Sequence, residues 1–107
     1  MSIHEISIDE LETALASGCR LVDVREQNEY DETHVPGAHL VALTTLPDHV
    51  DVFRGDLPAY VICRSGGRSM RACEYLADHG IEAVNVAGGT LAWVTSGKPT
   101  VSGPNPE

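Results

Sequence analysis

Residues 61–72 read VICRSGGRSMRA. The apolar run ends in Cys63, and Arg64, Ser65, Gly66, Gly67, Arg68 and Ser69 follow before a helical pattern sets in. A cysteine attacks as its thiolate, and a free thiol of pKa ~8.5 is only about 3% ionised at pH 7. The residues after Cys63 supply what raises that fraction. Gly66 and Gly67 permit positive φ and keep Cβ atoms out of the inside of a turn. Such a turn can aim successive backbone N–H groups at one point, as an anion-binding nest. The start of the following helix adds partial positive charge. The expected product is an anion cradle with a sulfur at its base, able to hold a thiolate or a persulfide.

Charge elsewhere makes this stretch stand out. Seven Lys and Arg face sixteen Asp and Glu, for a formal charge of −9. Such a chain repels phosphate backbones and anionic membranes, which speaks against nucleic acid or a membrane as partner. Yet Arg64, Arg68 and Arg71 all surround Cys63 in sequence. Arg64, at the outer edge of the loop, suits contact with an anionic substrate or a positive rim. Arg68 has two readings of equal weight: an anion contact, or a brace that pairs with a carboxylate. Arg71 lies three residues on and can share a helix face with it. The phosphate-loop pattern GxxxxGK[ST] is absent.

The other cysteines read as structural. Cys73 falls on one helical stripe with Met70, Leu76 and Ala77, and Cys19 starts a strand. Three cysteines without a CxxC or HxxxH pattern predict neither a disulfide framework nor a zinc site. Asp23 closes an apolar run and is expected to orient Arg25 or tie down the turn after it. Arg25 is expected to pair with Glu29 rather than face the site. His34 is expected to shape a turn rather than act as a base, and Trp93 to pack the last helix onto the sheet.

Positioning these residues requires a particular architecture. Ser7 with Glu10 forms a capping box, and Ile6 with Leu11 the accompanying hydrophobic staple; Gly18 then stops the helix. "CRLVDVR", "AHLVAL", "AYVIC" and "EAVNVAGG" read as strands, after a weak first one at "HEIS". Between them lie a short helix capped by Thr45, a helix from about Arg68 to His79, and a last helix at "TLAWVTS". This alternation predicts an α/β domain with a mostly parallel sheet of about five strands and helices on both faces. In such sheets, sites form at the C-terminal ends of strands, where "DVR" and "CRSGGRS" both fall. One domain over residues 1–107 is expected, with a core of about 3–99 and a frayed tail at 100–107. No apolar run approaches a membrane span and no secretory signal is visible, so the expected compartment is the cytoplasm.

Three blocks of sequence resemble one family. "LVDVREQNEYDETHVPGAHL", "VICRSGGRS" and "VAGGTLAWVTSGKP", in this order and spacing, are similar to the signatures of single-domain rhodanese-type sulfurtransferases. The resemblance implies the three-layer α/β/α fold of that family. It implies Cys63 as nucleophile, with the backbone amides of Arg64 to Ser69 as its cradle. Thiosulfate or a similar small anionic donor would load a persulfide onto Cys63, and cyanide or a thiol would take the sulfur up. No metal and no organic cofactor is implied. Phosphatases that share the fold carry their arginine one position farther from the cysteine. Here Arg68 is five positions after Cys63, a smaller cradle suited to one sulfur atom. A second reading is a sulfur-carrier module that passes sulfane sulfur to a protein partner, or only senses it.

Overall fold

The computed structural model describes residues 2–107. The Ser7 hydroxyl accepts the Glu10 amide at 3.1 Å, and the Glu10 carboxylate accepts the Ser7 amide at 3.0 Å, which closes the capping box. The helix it opens, α1 (Ile8–Ala16), follows strand β1 (Glu5–Ile6) and ends at Gly18, whose φ is +88°. Then come β2 (Leu21–Asp23), α2 (Gln27–Glu32), β3 (His39–Leu40), β4 (Ala59–Ile62), α3 (Gly67–Asp78), β5 (Ala83–Val86) and α4 (Gly89–Thr95).

All five strands are parallel, in the order β1-β5-β4-β2-β3. β4 is therefore central, and its side chains alternate between two cores. Ala59, Val61 and Cys63 enter one cluster with Ala72, Cys73 and Leu76 of α3 and with Leu46 and Phe53. Ile62 enters the other with Leu11 of α1, Tyr30 of α2 and Trp93 of α4. Period-two alternation thus turns Cys63 toward α3. Helices lie on both faces of the sheet, so the three-layer α/β/α expectation holds. Trp93 is buried, and its indole N–H donates to the Pro99 carbonyl at 2.7 Å.

Two local expectations need correction. The segment expected to be a helix capped by Thr45 is a 3₁₀ turn, Leu43–Asp48, with Thr45 inside it, followed by a second such turn at Val50–Phe53. Pro47 lacks the N–H that a longer helix would need. Strand β3 is shorter than "AHLVAL", although Val41 and Leu43 still donate to the carbonyls of Asp23 and Val24. The tail residues 101–103 lie against the end of α2. Val101 and His34 exchange two backbone hydrogen bonds, at 2.9 and 3.0 Å, and the Gly103 amide reaches the Asp31 carbonyl at 2.7 Å. The Ser102 hydroxyl donates to the Glu32 carbonyl at 2.8 Å. The tail thus satisfies carbonyls at the end of α2 that the helix itself leaves open. Among the described residues no helix is long and apolar enough to cross a membrane.

Candidate active site

Cys63 is the residue after β4 and is 1% exposed. The chain must reverse from the end of β4 into α3 within a few residues. Gly66 makes this possible at φ +109°, a left-handed conformation that other residues adopt only under strain. Gly67 does not share that role: it has no positive φ and simply begins α3. The turn brings the Gly66 amide to 3.1 Å from the Cys63 Sγ, and the Ser69 hydroxyl to 3.3 Å. Burial works against the thiolate. The Ser69 hydroxyl and the amides of Ser69, Gly66 and Ser65 work for it and prevail, so the Cys63 thiol lies below its ordinary pKa.

A second turn holds this loop from behind. Thr90 N–H donates to the Cys63 carbonyl and Leu91 N–H to the Arg64 carbonyl, both at 2.9 Å. A trans peptide points its C=O and N–H in opposite directions, so drawing these carbonyls toward α4 turns the Arg64 and Ser65 N–H groups away from it, and the Ser65 amide is one of those that favour the thiolate. The approach is close: a Cβ on Gly89, where φ is +59°, would sit 2.5 Å from both carbonyl oxygens. Gly89 is thus required by contact as well as by conformation. The Asn85 side-chain amide adds a weaker tie to the Gly66 carbonyl at 3.4 Å.

The arginines divide into three situations. Arg68 forms a two-point pair with Glu29, at 2.7 and 2.9 Å, which is the bracing arrangement. The same Glu29 carboxylate accepts the Glu26 amide at 3.0 Å, so one side chain caps α2 and anchors the cysteine loop to it. The Arg68 hydrogen bonds hold the Glu29 carboxyl down at about 2, against the smaller opposing pull of burial. Arg25 does not pair with Glu29 as expected. Its Nε and Nη2 bind Asp23 at 2.8 to 3.1 Å, and Nη2 also reaches the Thr33 carbonyl at 2.7 Å. Both residues are buried, and Asp23 also accepts the Arg25 amide at 3.0 Å. The pair fixes the turn after β2 and leaves Glu29 to Arg68. Arg64 is exposed and makes no salt bridge among the described residues.

Two residues considered for chemistry lie in structural settings. His34 is buried and stacked on the Tyr30 ring at 3.7 Å. Its ring nitrogens face the carbonyls of Tyr30 and Pro106, at 2.8 and 3.2 Å. Cys73 is packed in the core, where burial pushes its thiol up to about 12.

Cysteine loop, glycine-backed carbonyl ties and buried Asp–Arg pair all converge at the C-terminal edge of a parallel sheet. Residues 7–96 match the Rhodanese-like domain family. The chain belongs to the rhodanese-like family. It is similar to the putative sulfurtransferase YtwF of Bacillus subtilis, with 38% identity over 92% of this chain and 98% of that one. A sulfurtransferase of Allochromatium vinosum is 33% identical, over 94% of this chain and 96% of its own length. Among solved structures, a rhodanese-like domain protein from Staphylococcus aureus superposes with a TM-score of 0.80 at 38% identity, covering 85% of this chain and 91% of that one. The fold is the rhodanese-like one, and the chain is of sulfurtransferase or sulfur-carrier type.

Sequence reasoning named the cysteine loop but missed three of its supports: Glu29 as the partner of Arg68, Asn85, and Thr90. For Thr90 the available signal was the Gly88-Gly89 pair before it, since paired glycines mark close backbone approach.

Proposed function

We propose that the protein is an enzyme that moves sulfane sulfur from thiosulfate or a similar donor to a thiophilic acceptor, through a persulfide on Cys63. The observation that carries this reading is the set of donors on the Cys63 sulfur: the Gly66 amide at 3.1 Å and the Ser69 hydroxyl at 3.3 Å. In the first half-reaction the Cys63 thiolate attacks the outer sulfur of thiosulfate. The S–S bond of the donor breaks, and its electron pair departs with sulfite. In the second, the acceptor attacks the outer sulfur of the persulfide, and the electron pair of that bond returns to Cys63. The lowered thiol pKa serves both halves. It supplies thiolate for attack at neutral pH, and it makes Cys63 a better leaving group when the acceptor arrives.

Exposed and unpaired, Arg64 draws a dianionic donor to the rim. Arg68, Asp23 and Arg25 act as positioning residues, and Arg64 to Ser69 form the cradle. In each half-reaction one nucleophile enters and one sulfur anion leaves, sulfite in the first and the Cys63 thiolate in the second, so the cycle closes without metal or cofactor. A reducing compartment such as the cytoplasm keeps Cys63 a thiol between turnovers.

The test mixes the protein with thiosulfate and cyanide and measures thiocyanate, beside Cys63→Ala. Intact mass after thiosulfate alone is expected to show one added sulfur atom in the native chain and none in the variant. Absence of both persulfide and thiocyanate in the native protein refutes the thiosulfate reading. Persulfide without discharge to cyanide points instead to a carrier.

A further inference from the structure

Asn85 is a polar side chain in the middle of the sheet. It lies on β5 and is 1% exposed, opposite Val61 of β4 and Glu5 of β1. Its neighbours Val84 and Val86 enter the cluster that holds Leu11 and Trp93. Period-two alternation therefore turns Asn85 to the α3 face, the face of Val61 and Cys63. There its Nδ2 donates to the Glu5 carboxylate at 2.8 Å and, over a longer 3.4 Å, to the Gly66 carbonyl. Its Oδ1 is buried and has no hydrogen-bond partner among the described residues. The two facts are linked. A carboxylate and a carbonyl only accept, so the NH2 end of the amide serves both and the oxygen is left over.

An unpaired buried oxygen is unfavourable, and an apolar side chain at this point of the sheet would avoid it. What the amide does for the cysteine loop accounts for its presence. Gly66 holds φ +109° and ψ −12°, and glycine by itself has little preference for that conformation over others. Partners of its peptide groups must hold it there. Its N–H points at the Cys63 sulfur, at 3.1 Å. Its carbonyl accepts the Met70 N–H at 3.1 Å, in the first turn of α3, and Asn85 reaches the same oxygen from the sheet. An amide can also turn end for end, and the flipped form would set Oδ1 against the Gly66 carbonyl. The Glu5 carboxylate opposes that flip, because it too would then face an oxygen.

We propose that Asn85 is a positioning residue for the Cys63 loop, and that Glu5, on the edge strand β1, sets the direction of its amide. The assignment rests on the reading of Cys63 as the reacting sulfur. The pair acts through Gly66: with the carbonyl held from the sheet, the N–H stays on the sulfur. A line of contacts thus runs from an exposed carboxylate on β1, across β5, to the loop of the nucleophile. Arg68 and Cys73 are the other ionisable groups whose charges couple to Cys63, and substitutions at residues 5 and 85 leave both in place.

The experiment compares the native chain with Asn85→Leu and Glu5→Lys. It follows thiolate absorbance against pH, the rate of gain of one sulfur atom from thiosulfate by mass, and the melting temperature. Asn85→Leu is expected to move the thiolate inflection upward and to slow sulfur loading at neutral pH about fivefold. It is also expected to melt no lower than the native chain. The change removes the unpaired oxygen, the Gly66 carbonyl keeps Met70, and the exposed Glu5 carboxylate returns to water. Glu5→Lys separates orientation from charge. By charge alone an added cation favours the thiolate and moves the inflection down. The assignment expects it to move up, because the ammonium attracts Oδ1 and turns the amide over. An unmoved inflection in Asn85→Leu overturns the positioning role, whatever happens to stability. A downward or unmoved inflection in Glu5→Lys overturns the part given to Glu5. If the native chain gains no sulfur, the persulfide reading fails, while the inflections still decide the role of Asn85.

Discussion

Cys63 and Cys73 belong to the same apolar cluster and are 1% and 0% exposed. Their thiols nevertheless shift in opposite directions. Burial pushes Cys73 up to about 12, with nearby negative charge adding to the effect. Burial pushes Cys63 up as well, but the Ser69 hydroxyl and the loop amides reverse the outcome. The difference is one of donors rather than of exposure. Ser69 and Cys73 are four residues apart on α3, so one helix face holds both a group that favours a sulfur anion and a thiol whose burial disfavours one.

The comparison breaks most sharply on exchanging one sulfur at a time. Cys63→Ser is expected to lower thiocyanate production by about 10³-fold or more. It is also expected to remove the thiolate absorbance that develops below the ordinary thiol range in a pH titration. Cys73→Ala is expected to leave both in place and to cost about 1 kcal/mol of stability through a small core void. A low-pH thiolate that survives in Cys63→Ser would assign the reactive sulfur elsewhere.

Removing one donor makes Cys63 more like Cys73. Ser69→Ala deletes the hydroxyl 3.3 Å from the sulfur and leaves the backbone of α3 unchanged. Loss of one charge-assisted bond, ~1.4 kcal/mol, corresponds to about tenfold. Activity at neutral pH is therefore expected to fall about tenfold, with the inflection of the pH–rate profile moved upward. The sign follows from ionisation: an acid whose pKa is depressed by donors regains its proton at higher pH when a donor is lost. An inflection that stays in place would leave the amides alone responsible.

Glu29 joins the loop to α2, and its effect is smaller. Glu29→Gln keeps the shape of the side chain and removes the charge that Arg68 grips. The loss is about 1–2 kcal/mol once solvent screening of this part-exposed pair is allowed for. Because the Glu29 carboxyl is lowered from 4.5 to about 2, its contribution is complete above pH 4.5 and is lost as pH falls toward 2. The native chain should therefore lose stability over that interval more steeply than the variant, as measured by denaturant titration at several pH values. Equal acid limbs would count against the brace.

The cysteine loop, the alternation of strands and helices and the first capping box were legible because each rests on neighbours in sequence. Ser7 and Glu10, like Cys63 and Gly66, are three residues apart, so a single turn brings each pair together. The partner of Arg25 was not legible, since Asp23 and Glu29 both lie within reach along the chain. The choice is made by α2, whose orientation carries Glu29 to Arg68, thirty-nine residues away. The docked tail was illegible for the same reason. "TVSGPNPE" has the composition of a loose end, but its amides and one hydroxyl meet the carbonyls of Asp31, Glu32 and His34. Thr90 was hidden because a threonine in an apolar helix pattern gives no sign that its hydroxyl lacks a partner.

The two loop glycines provide the finest distinction, because sequence treats them alike. At Gly66, with φ +109°, a side chain is strained even though the nearest atom to an added Cβ lies 3.7 Å away. At Gly67 the conformation is helical and nothing lies within 4 Å of an added Cβ. Gly66→Ala is therefore expected to destabilise by about 1–2 kcal/mol, and to raise the Cys63 pKa by displacing the amide at 3.1 Å. Gly67→Ala is expected to stabilise by about 0.5–1 kcal/mol, because it restricts the unfolded chain and favours α3. Thermal melts of the two single variants give the comparison directly. Similar losses from both would mean that the loop needs two flexible residues, not one left-handed position next to a helix start.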